Sequence, residues 1–162
     1  MSGALDIVTL VAALGCGLAA GVFFAFSTFV MDGLARANPA EGVAAMQWIN
    51  RRAPTPAFLL AWLGTALVCV VVAVWTAVGG SGGERRTALA VAAALLYVAG
   101  TVVLTFARNI PLNDRLETLD PSAEATARYW RVYVRDWTRY NHVRTATGIA
   151  AAALLTVALA AD

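Results

Sequence analysis

The chain contains no lysine, so all 12 of its basic residues are arginines. Charged residues of both signs make up only 14% of the 162 residues, 60% are hydrophobic, and the mean hydropathy is +0.69. An average soluble domain has about one-quarter charged residues. The composition therefore excludes an ordinary soluble protein and indicates a protein of the lipid bilayer. The net charge of +2 indicates no nucleic-acid partner.

Residues that bind metals or act as nucleophiles are also few. The chain has one histidine, His142, and two cysteines, Cys16 and Cys69, which lie in apolar runs without metal-ligand spacing. We therefore expect no metal site and no disulfide framework. No glycine-rich phosphate loop is present, and no serine has a recognisable nucleophile motif. A haem held by His142 and either Met31 or Met46 stays open as an alternative, because the sequence offers these as isolated ligands.

Four apolar segments are long enough to span a bilayer, which takes about 20 residues. They cover residues 5–31, 57–78, 87–107 and 143–161. None of them has the polar outer face, repeating every 3.6 residues or so, that a soluble helical bundle would need. We therefore predict an all-α fold, a four-transmembrane-helix bundle, that forms a single domain over residues 1–162.

Two of the three connections between these segments are long and contain helices of their own. They cover residues 32–56 and 108–142. Asn38 followed by Pro39 predicts the start of a short helix in the first. Asp120 followed by Pro121 predicts a helix start in the second, and this helix should run on into the fourth span.

The third connection, residues 79–86, is a glycine-rich turn, so the second and third spans should form an antiparallel hairpin. With four spans, both long connections lie on one side of the membrane. They carry three and six arginines, against two in the turn. The positive-inside rule therefore predicts that the long connections are cytoplasmic, in an integral protein of a bacterial-type plasma membrane.

Small residues recur at every fourth position of the first span, at Ala13, Gly17, Gly21 and Ala25. Such a seam allows another helix to approach closely. We expect it to pack inside the bundle, and a homo-oligomer interface is the alternative.

Neutral amides cluster where apolar segments end. Gln47 and Asn50 lie in "MQWIN", Asn109 and Asn113 flank Pro111 in "NIPLND", and Asn141 lies in "WTRYNHVRT". Capping of helix ends is one explanation, but a single cap does not need two amides. We predict that the three patches meet in one site at the mouth of the bundle, with Ser27 near the end of the first span. Pro111 should disturb the helix between its two asparagines.

A second pattern concerns the fourth span. Trp137, Asn141 and Arg144 are spaced i, i+4, i+7 and share one helix face, whereas His142 does not lie on that face. An arginine inside a span is costly unless it is paired or hydrated. We expect an ion pair, and the acids at a suitable depth are Asp32, Asp114 and Asp136.

These patches, in this order, resemble the anthrone-oxygenase-like family of small four-helix membrane proteins. The matching stretches are "GVFFAFSTFVMDGL" (21–34), "AMQWIN" (45–50), "NIPLND" (109–114) and "WTRYNHVRT" (137–145). The resemblance implies oxidation of an anthrone to an anthraquinone with O2, without an organic cofactor or a metal. It also implies a hydrophobic aromatic small molecule as the partner, taken up from the lipid bilayer.

The resemblance suggests roles for the polar residues. Four asparagines would donate hydrogen bonds to substrate oxygens, Asn113 and Asn141 in catalysis and Asn50 and Asn109 in binding. Arg144 would stabilise the negative charge that develops on the substrate during catalysis, and Trp137 would stack on the substrate rings. Gln47 and Ser27 are further candidates for substrate binding. The resemblance does not extend to a base; from the residues alone, we expect His142 to be the base if the helix kinks enough to turn it inward.

Two other classes of function stay open at this point. One is a non-enzymatic membrane protein that binds or transports a small hydrophobic molecule. The other is a haem or quinone redox protein.

Overall fold

The computed structural model describes residues 2–79 and 83–161, which form five helices. They are α1 (Gly3–Arg36), α2 (Pro39–Arg52), α3 (Pro56–Gly79), α4 (Gly83–Glu117) and α5 (Glu124–Leu159). Four of them, all except α2, are long and apolar enough to cross a membrane, which confirms the predicted four-helix architecture. Three of the four continue well past the predicted apolar segments, because the helical backbone runs on into the polar connections. The turn predicted between α3 and α4 includes residues 80–82, which lie outside the described part of the chain.

The start of α2 follows from local sequence. The Asn38 side chain accepts a hydrogen bond from the Ala40 N–H at 3.1 Å, and Pro39 is the first helical residue. This confirms the predicted cap. The helix ends at Arg52, before Pro54.

The predicted start of α5 is wrong by three residues. The Asp120 carboxylate accepts hydrogen bonds from the Ser122 N–H at 2.9 Å and its hydroxyl at 2.8 Å. These bonds close a turn before the helix, which therefore begins only at Glu124. The same two donors, the N–H first, hold the pKa of Asp120 below its ordinary value. From Glu124 the helix is continuous into the fourth span, as predicted.

The membrane part of the bundle packs through small side chains. Its core includes Ala12, Cys16 and Ala19 of α1, which contact the facing sides of α3 and α5. The predicted seam is only partly involved: Ala13 is buried, but Gly17 and Gly21 are exposed and a Cβ atom at either would meet nothing within 4 Å. The expectation that this seam packs inside the bundle is therefore wrong for both glycines, because the helix is rotated so that the neighbouring face is buried.

A second cluster covers one end of the bundle. Met46 of α2 and Leu116 of α4 pack with Trp130, Tyr133 and Trp137 of α5. Both long connections consequently lie at the same end of the bundle, as the four-span topology requires.

Wider helical turns, of the π type, interrupt three of the long helices. They cover Phe26–Val30, Leu60–Gly64, Val98–Val103 and Thr105–Asn109. The last of these immediately precedes Pro111, whose ring and missing N–H are incompatible with a regular helix interior. The disturbance predicted near Pro111 therefore takes the form of a widened turn, and the helix continues to Glu117. Such segments often accompany functional sites.

Candidate functional site

A cavity of about 860 Å³ lies at the end of the bundle that α2 covers. We call it the main cavity. Its walls include Phe23 and Phe26 of α1, Asn50 and Arg51 of α2, Phe58 and Trp62 of α3, Thr105, Phe106, Asn113 and Asp114 of α4, and Trp137 and Arg144 of α5. Its volume is in the usual range for small-molecule sites, about 300–1,000 Å³.

Aromatic rings form much of the cavity wall. Trp62 stacks against Phe58 and Phe106, with ring centroids 6.1 and 6.0 Å apart. Across the cavity, Phe26 packs against Trp137 at 5.5 Å. Phe106 is more than half exposed on the outside of the bundle, so this wall is continuous with the surface that faces lipid. The arrangement suits a flat apolar ligand that enters from the membrane.

Arg144 is the buried cation of the main cavity, only 5% exposed. Its guanidinium donates to the Thr105 hydroxyl at 3.1 Å and to Asn141 Oδ1 at 2.7 Å. Within residues 2–79 and 83–161 it forms no ion pair, so the expected pairing with an aspartate is wrong. Asp32 is paired with Arg36, Asp136 with Arg135, and Asp114 lines the cavity without pairing.

Two aromatic rings partly compensate the charge of Arg144. Its Cζ lies 4.5 Å from the Phe23 ring centroid and 5.0 Å from that of Trp137. Cation–π contacts of this kind stabilise a desolvated guanidinium by about 2 kcal/mol or more, which offsets part of the several kcal/mol that burial of an unpaired charge costs. The Arg144 Nε is buried and has no hydrogen-bond partner among the described residues. The site therefore holds a cation that a negatively charged group in the cavity would stabilise.

Asn113 is held in one orientation. Its Oδ1 accepts hydrogen bonds from the Tyr133 hydroxyl and from the Trp137 indole N–H, both at 2.8 Å. An indole N–H can only donate, so the amide atom that faces it must be the oxygen. The Asn113 Nδ2 then points away from both rings and is left as a donor on the cavity side.

Two of the other predicted asparagines lie behind the cavity wall. Asn141 is fully buried and donates through Nδ2 to the Phe23 carbonyl and to Ser27 Oγ, at 2.6 and 2.7 Å, while its Oδ1 accepts from Arg144. Asn109 is also buried and donates to the Trp137 carbonyl at 3.3 Å. Neither lines the main cavity. Asn141 therefore positions Arg144, and the Asn109 side chain connects α4 to α5 by a hydrogen bond.

Of the two candidate amides on α2, Asn50 lines the main cavity and Gln47 does not. The Asn50 Nδ2 is buried without a hydrogen-bond partner in the described part of the chain. The Gln47 Nε2 donates to the carbonyls of Leu116 and Leu119, both at 2.9 Å, and so caps the end of α4.

We expect Gln47→Met to destabilise the protein without impairing ligand binding or turnover. The loss of its amide removes a donor from two carbonyls at the end of α4, which costs about 1–3 kcal/mol. Thermal melting in detergent measures this cost. Glu41→Met, at an exposed position of the same helix, is the control and should change stability by about 0.5 kcal/mol or less. Loss of ligand binding in folded Gln47→Met would contradict the structural role.

Ser27 and His142 lie at a different cavity, of about 320 Å³, between the end of α1 and α5. We call it the second cavity. Ser27 Oγ lies 3.0 Å from Thr145 Oγ1, and His142 is exposed. A continuous α5 turns His142 away from Arg144, so the kink that a catalytic His142 would need is absent from this helix.

Of the two methionines proposed as haem ligands with His142, the structure places one, Met31, at the same cavity as the histidine. Met46 lines the main cavity instead. In residues 2–79 and 83–161 there is no cluster of three or more His, Cys, Asp or Glu side chains with the spacing of a metal site.

Sequence reasoning missed several residues of the site. Thr105, which anchors Arg144, lies inside an apolar span and looked unremarkable there. Phe58, Trp62 and Phe106 gave only the general signal of a membrane helix. Asp114 stood out as a partner for Arg144, but in the structure it forms no ion pair.

A comparison with known protein families finds a match over more than half of the chain. The family model described as anthrone oxygenase matches residues 58–154 of the 162. The matched region contains α3, α4 and most of α5, including Asn113, Trp137 and Arg144, whereas Asn50 lies outside it. No curated protein and no solved structure matches the chain. The match indicates an oxygenase-like function, and the chain belongs to the anthrone oxygenase family.

Proposed function

We propose that the protein oxidises an anthrone-like or other electron-rich phenolic ketone to the corresponding quinone with O2, and that it does so without an organic cofactor. The observation that carries the proposal is Arg144, a buried cation that lines an aromatic cavity and has no counter-ion among the described residues. Such a site favours a ligand that is neutral and flat when it enters and becomes negatively charged during the reaction.

The chemistry needs little from the protein. An anthrone has a methylene group opposite its ring carbonyl. Loss of one methylene proton gives an enolate, and the negative charge is carried by the carbonyl oxygen. This electron-rich enolate reacts with O2 at the former methylene carbon, and the resulting peroxide loses water. In total, CH2 and O2 become C=O and H2O, so O2 is the only oxidant required.

Two donors would stabilise the oxyanion. The Arg144 guanidinium supplies positive charge, and the Asn113 Nδ2 supplies a hydrogen bond from an amide whose orientation is already fixed. Both act in a cavity whose walls are mainly apolar, where electrostatic interactions are stronger than in water. Asn50 lines the same cavity, but its Nδ2 is enclosed by protein and would have to turn toward the cavity to become a third donor. Trp137 and Phe26, which pack against each other, would flank the aromatic rings of the substrate.

The test is oxygen uptake, measured together with quinone absorbance, when detergent-purified and metal-chelated protein is mixed with a simple anthrone. Protein-free micelles correct for autoxidation in the detergent. We expect protein-dependent consumption of O2 with formation of one quinone per O2. A rate no higher than that of the micelles would overturn the proposal for anthrones.

The second candidate is a protein that binds or transports a hydrophobic aromatic molecule without changing it. The continuity of the aromatic wall with the lipid-facing surface at Phe106 favours it. Quenching of the cavity tryptophans by an anthrone, with no turnover, would support this candidate over the oxygenase.

A further inference from the structure

The proposed reaction needs a group that accepts the methylene proton, and His142 lies at the wrong cavity. The main cavity is lined by five ionisable side chains among the described residues, namely Arg51, Arg52, Asp114, Glu117 and Arg144. Arginines stay protonated in proteins and do not accept protons. Among these five side chains, only the carboxylates of Asp114 and Glu117 can therefore accept the proton.

Glu117 is already engaged. Its Oε1 accepts a hydrogen bond from Arg51. Its Oε2 has no hydrogen-bond partner among the described residues, but it is enclosed by protein and is not presented to the cavity. Asp114 differs in both respects: it is exposed at the cavity, and its carboxylate forms no hydrogen bond or ion pair with the described side chains.

The position of Asp114 relative to the oxyanion donors follows from α4. Ile110, Asn113, Asp114 and Glu117 follow one another at intervals of three, one and three residues, so they share one face of the helix, and all four line the main cavity. Asp114 therefore lies next to the oxyanion donor Asn113 in the chain and lines the same cavity as Asn113 and Arg144. A flat substrate that binds there with its oxygen at Asn113 and Arg144 would share the cavity with the Asp114 carboxylate.

We propose that Asp114 is the general base of the proposed oxygenase reaction, which makes it the catalytic residue in place of His142. The carboxylate removes one methylene proton, the C–H bond breaks as an O–H bond forms on Asp114, and the electron pair moves to the carbonyl oxygen. No oxidation occurs in this step. O2 reacts afterwards with the enolate, and protonated Asp114 returns its proton as water is formed. This inference rests on the proposed function.

The proton transfer can be measured apart from oxidation. Without O2 and in D2O, wild-type protein should exchange the methylene protons of anthrone for deuterium, which NMR or mass spectrometry detects. Asp114→Asn should slow this exchange and, in air, oxygen uptake by about 10²–10⁴-fold, the range for removal of a general base. Because Asp114 is exposed, the variant should melt at the wild-type temperature. Asp114→Glu should recover part of both rates.

Rescue by pH separates a base from a residue with another role. At a pH high enough to ionise anthrone in solution, Asp114→Asn should oxidise the preformed enolate as fast as wild type, after correction for micelles. His142→Gln, at the second cavity, is the matched control and should keep wild-type exchange and oxygen uptake.

Several results would overturn the assignment. The first is deuterium exchange at the wild-type rate in Asp114→Asn. The second is a loss of oxidation in Asp114→Asn that has the same size at every pH. The third is loss of deuterium exchange in Glu117→Gln while Asp114→Asn retains it. If wild-type protein oxidises anthrone and Asp114→Asn does so equally well, the base is wrong and the proposed function stands. If wild-type protein neither exchanges protons nor consumes O2, both fail.

Discussion

Arg144→Ala is expected to lower kcat for anthrone oxidation by about 10²–10³-fold, the usual effect of removing one preorganised oxyanion donor. Arg144 is the only buried cation that lines the main cavity among the described residues, and no carboxylate neutralises it there. Its charge is therefore available to the negative charge that develops during enolate formation. The neutral substrate gains much less from it, so the loss should appear in kcat rather than in anthrone affinity. Steady-state oxygen uptake gives kcat, and quenching of tryptophan fluorescence gives the affinity.

Two further variants test this explanation. Arg144→Lys keeps the charge but cannot donate to Thr105 and Asn141 at once through a planar fork, so we expect an intermediate rate. Thr105→Val removes one anchor of the guanidinium and keeps the charge, so its effect should be smaller than that of Arg144→Ala. A wild-type kcat in folded Arg144→Ala would contradict the role of the cation.

Gly100→Ala is expected to produce the largest loss of stability. A Cβ atom at Gly100 would lie 2.5 Å from both Cβ and Cγ2 of Thr147, and closer still to its Oγ1. These atoms belong to a short, branched side chain of the facing helix α5, so α4 and α5 must separate to make room. Overpacking of this kind costs about 1–3 kcal/mol, and sometimes more. Thermal melting in detergent measures it.

The matched control is Gly17→Ala, also a glycine inside a membrane helix, at which an added Cβ meets nothing within 4 Å. It should melt at or above the wild-type temperature, because alanine is the better helix former. The double variant Gly100→Ala/Thr147→Gly removes the obstructing side chain. Its loss of stability should therefore be smaller than the sum of the losses in the two single variants. Additive losses in the double variant would show that contact with Thr147 is not the cause.

Patterns local to the chain predicted the helices well. The four spans follow from runs of apolar residues, the start of α2 from Asn38 and Pro39, and the shared face of Trp137 and Arg144 from their spacing on a continuous helix. The same spacing already separated His142 from that face, and the structure confirms this. Each of these features depends on residues that are at most a few turns apart.

Errors arose wherever the result depended on how one helix is rotated against another. Gly17 and Gly21 form a regular small-residue stripe, yet α1 buries the adjacent face. Asn109 and Asn113 look equivalent in sequence, but the first contacts the backbone of α5 and the second lines the main cavity. Hydropathy does not distinguish such faces in a membrane helix, because the lipid and the protein interior are both apolar.

The sequence by itself determined that this is a four-span helical membrane protein and that its motifs resemble one family. That the polar patches meet in one site was a prediction, and of their residues the structure brings Asn50, Asn113, Trp137 and Arg144 to the main cavity. Only the tertiary structure decided that Arg144 has neutral partners and, among the described residues, no counter-ion. It likewise decided that Asn141 holds Arg144 from behind the cavity wall and that Asp114 forms no ion pair in the described part of the chain. The physical reason is that hydropathy and capping act within one helix, whereas the environment of a charge is set by side chains from several helices that are distant in sequence.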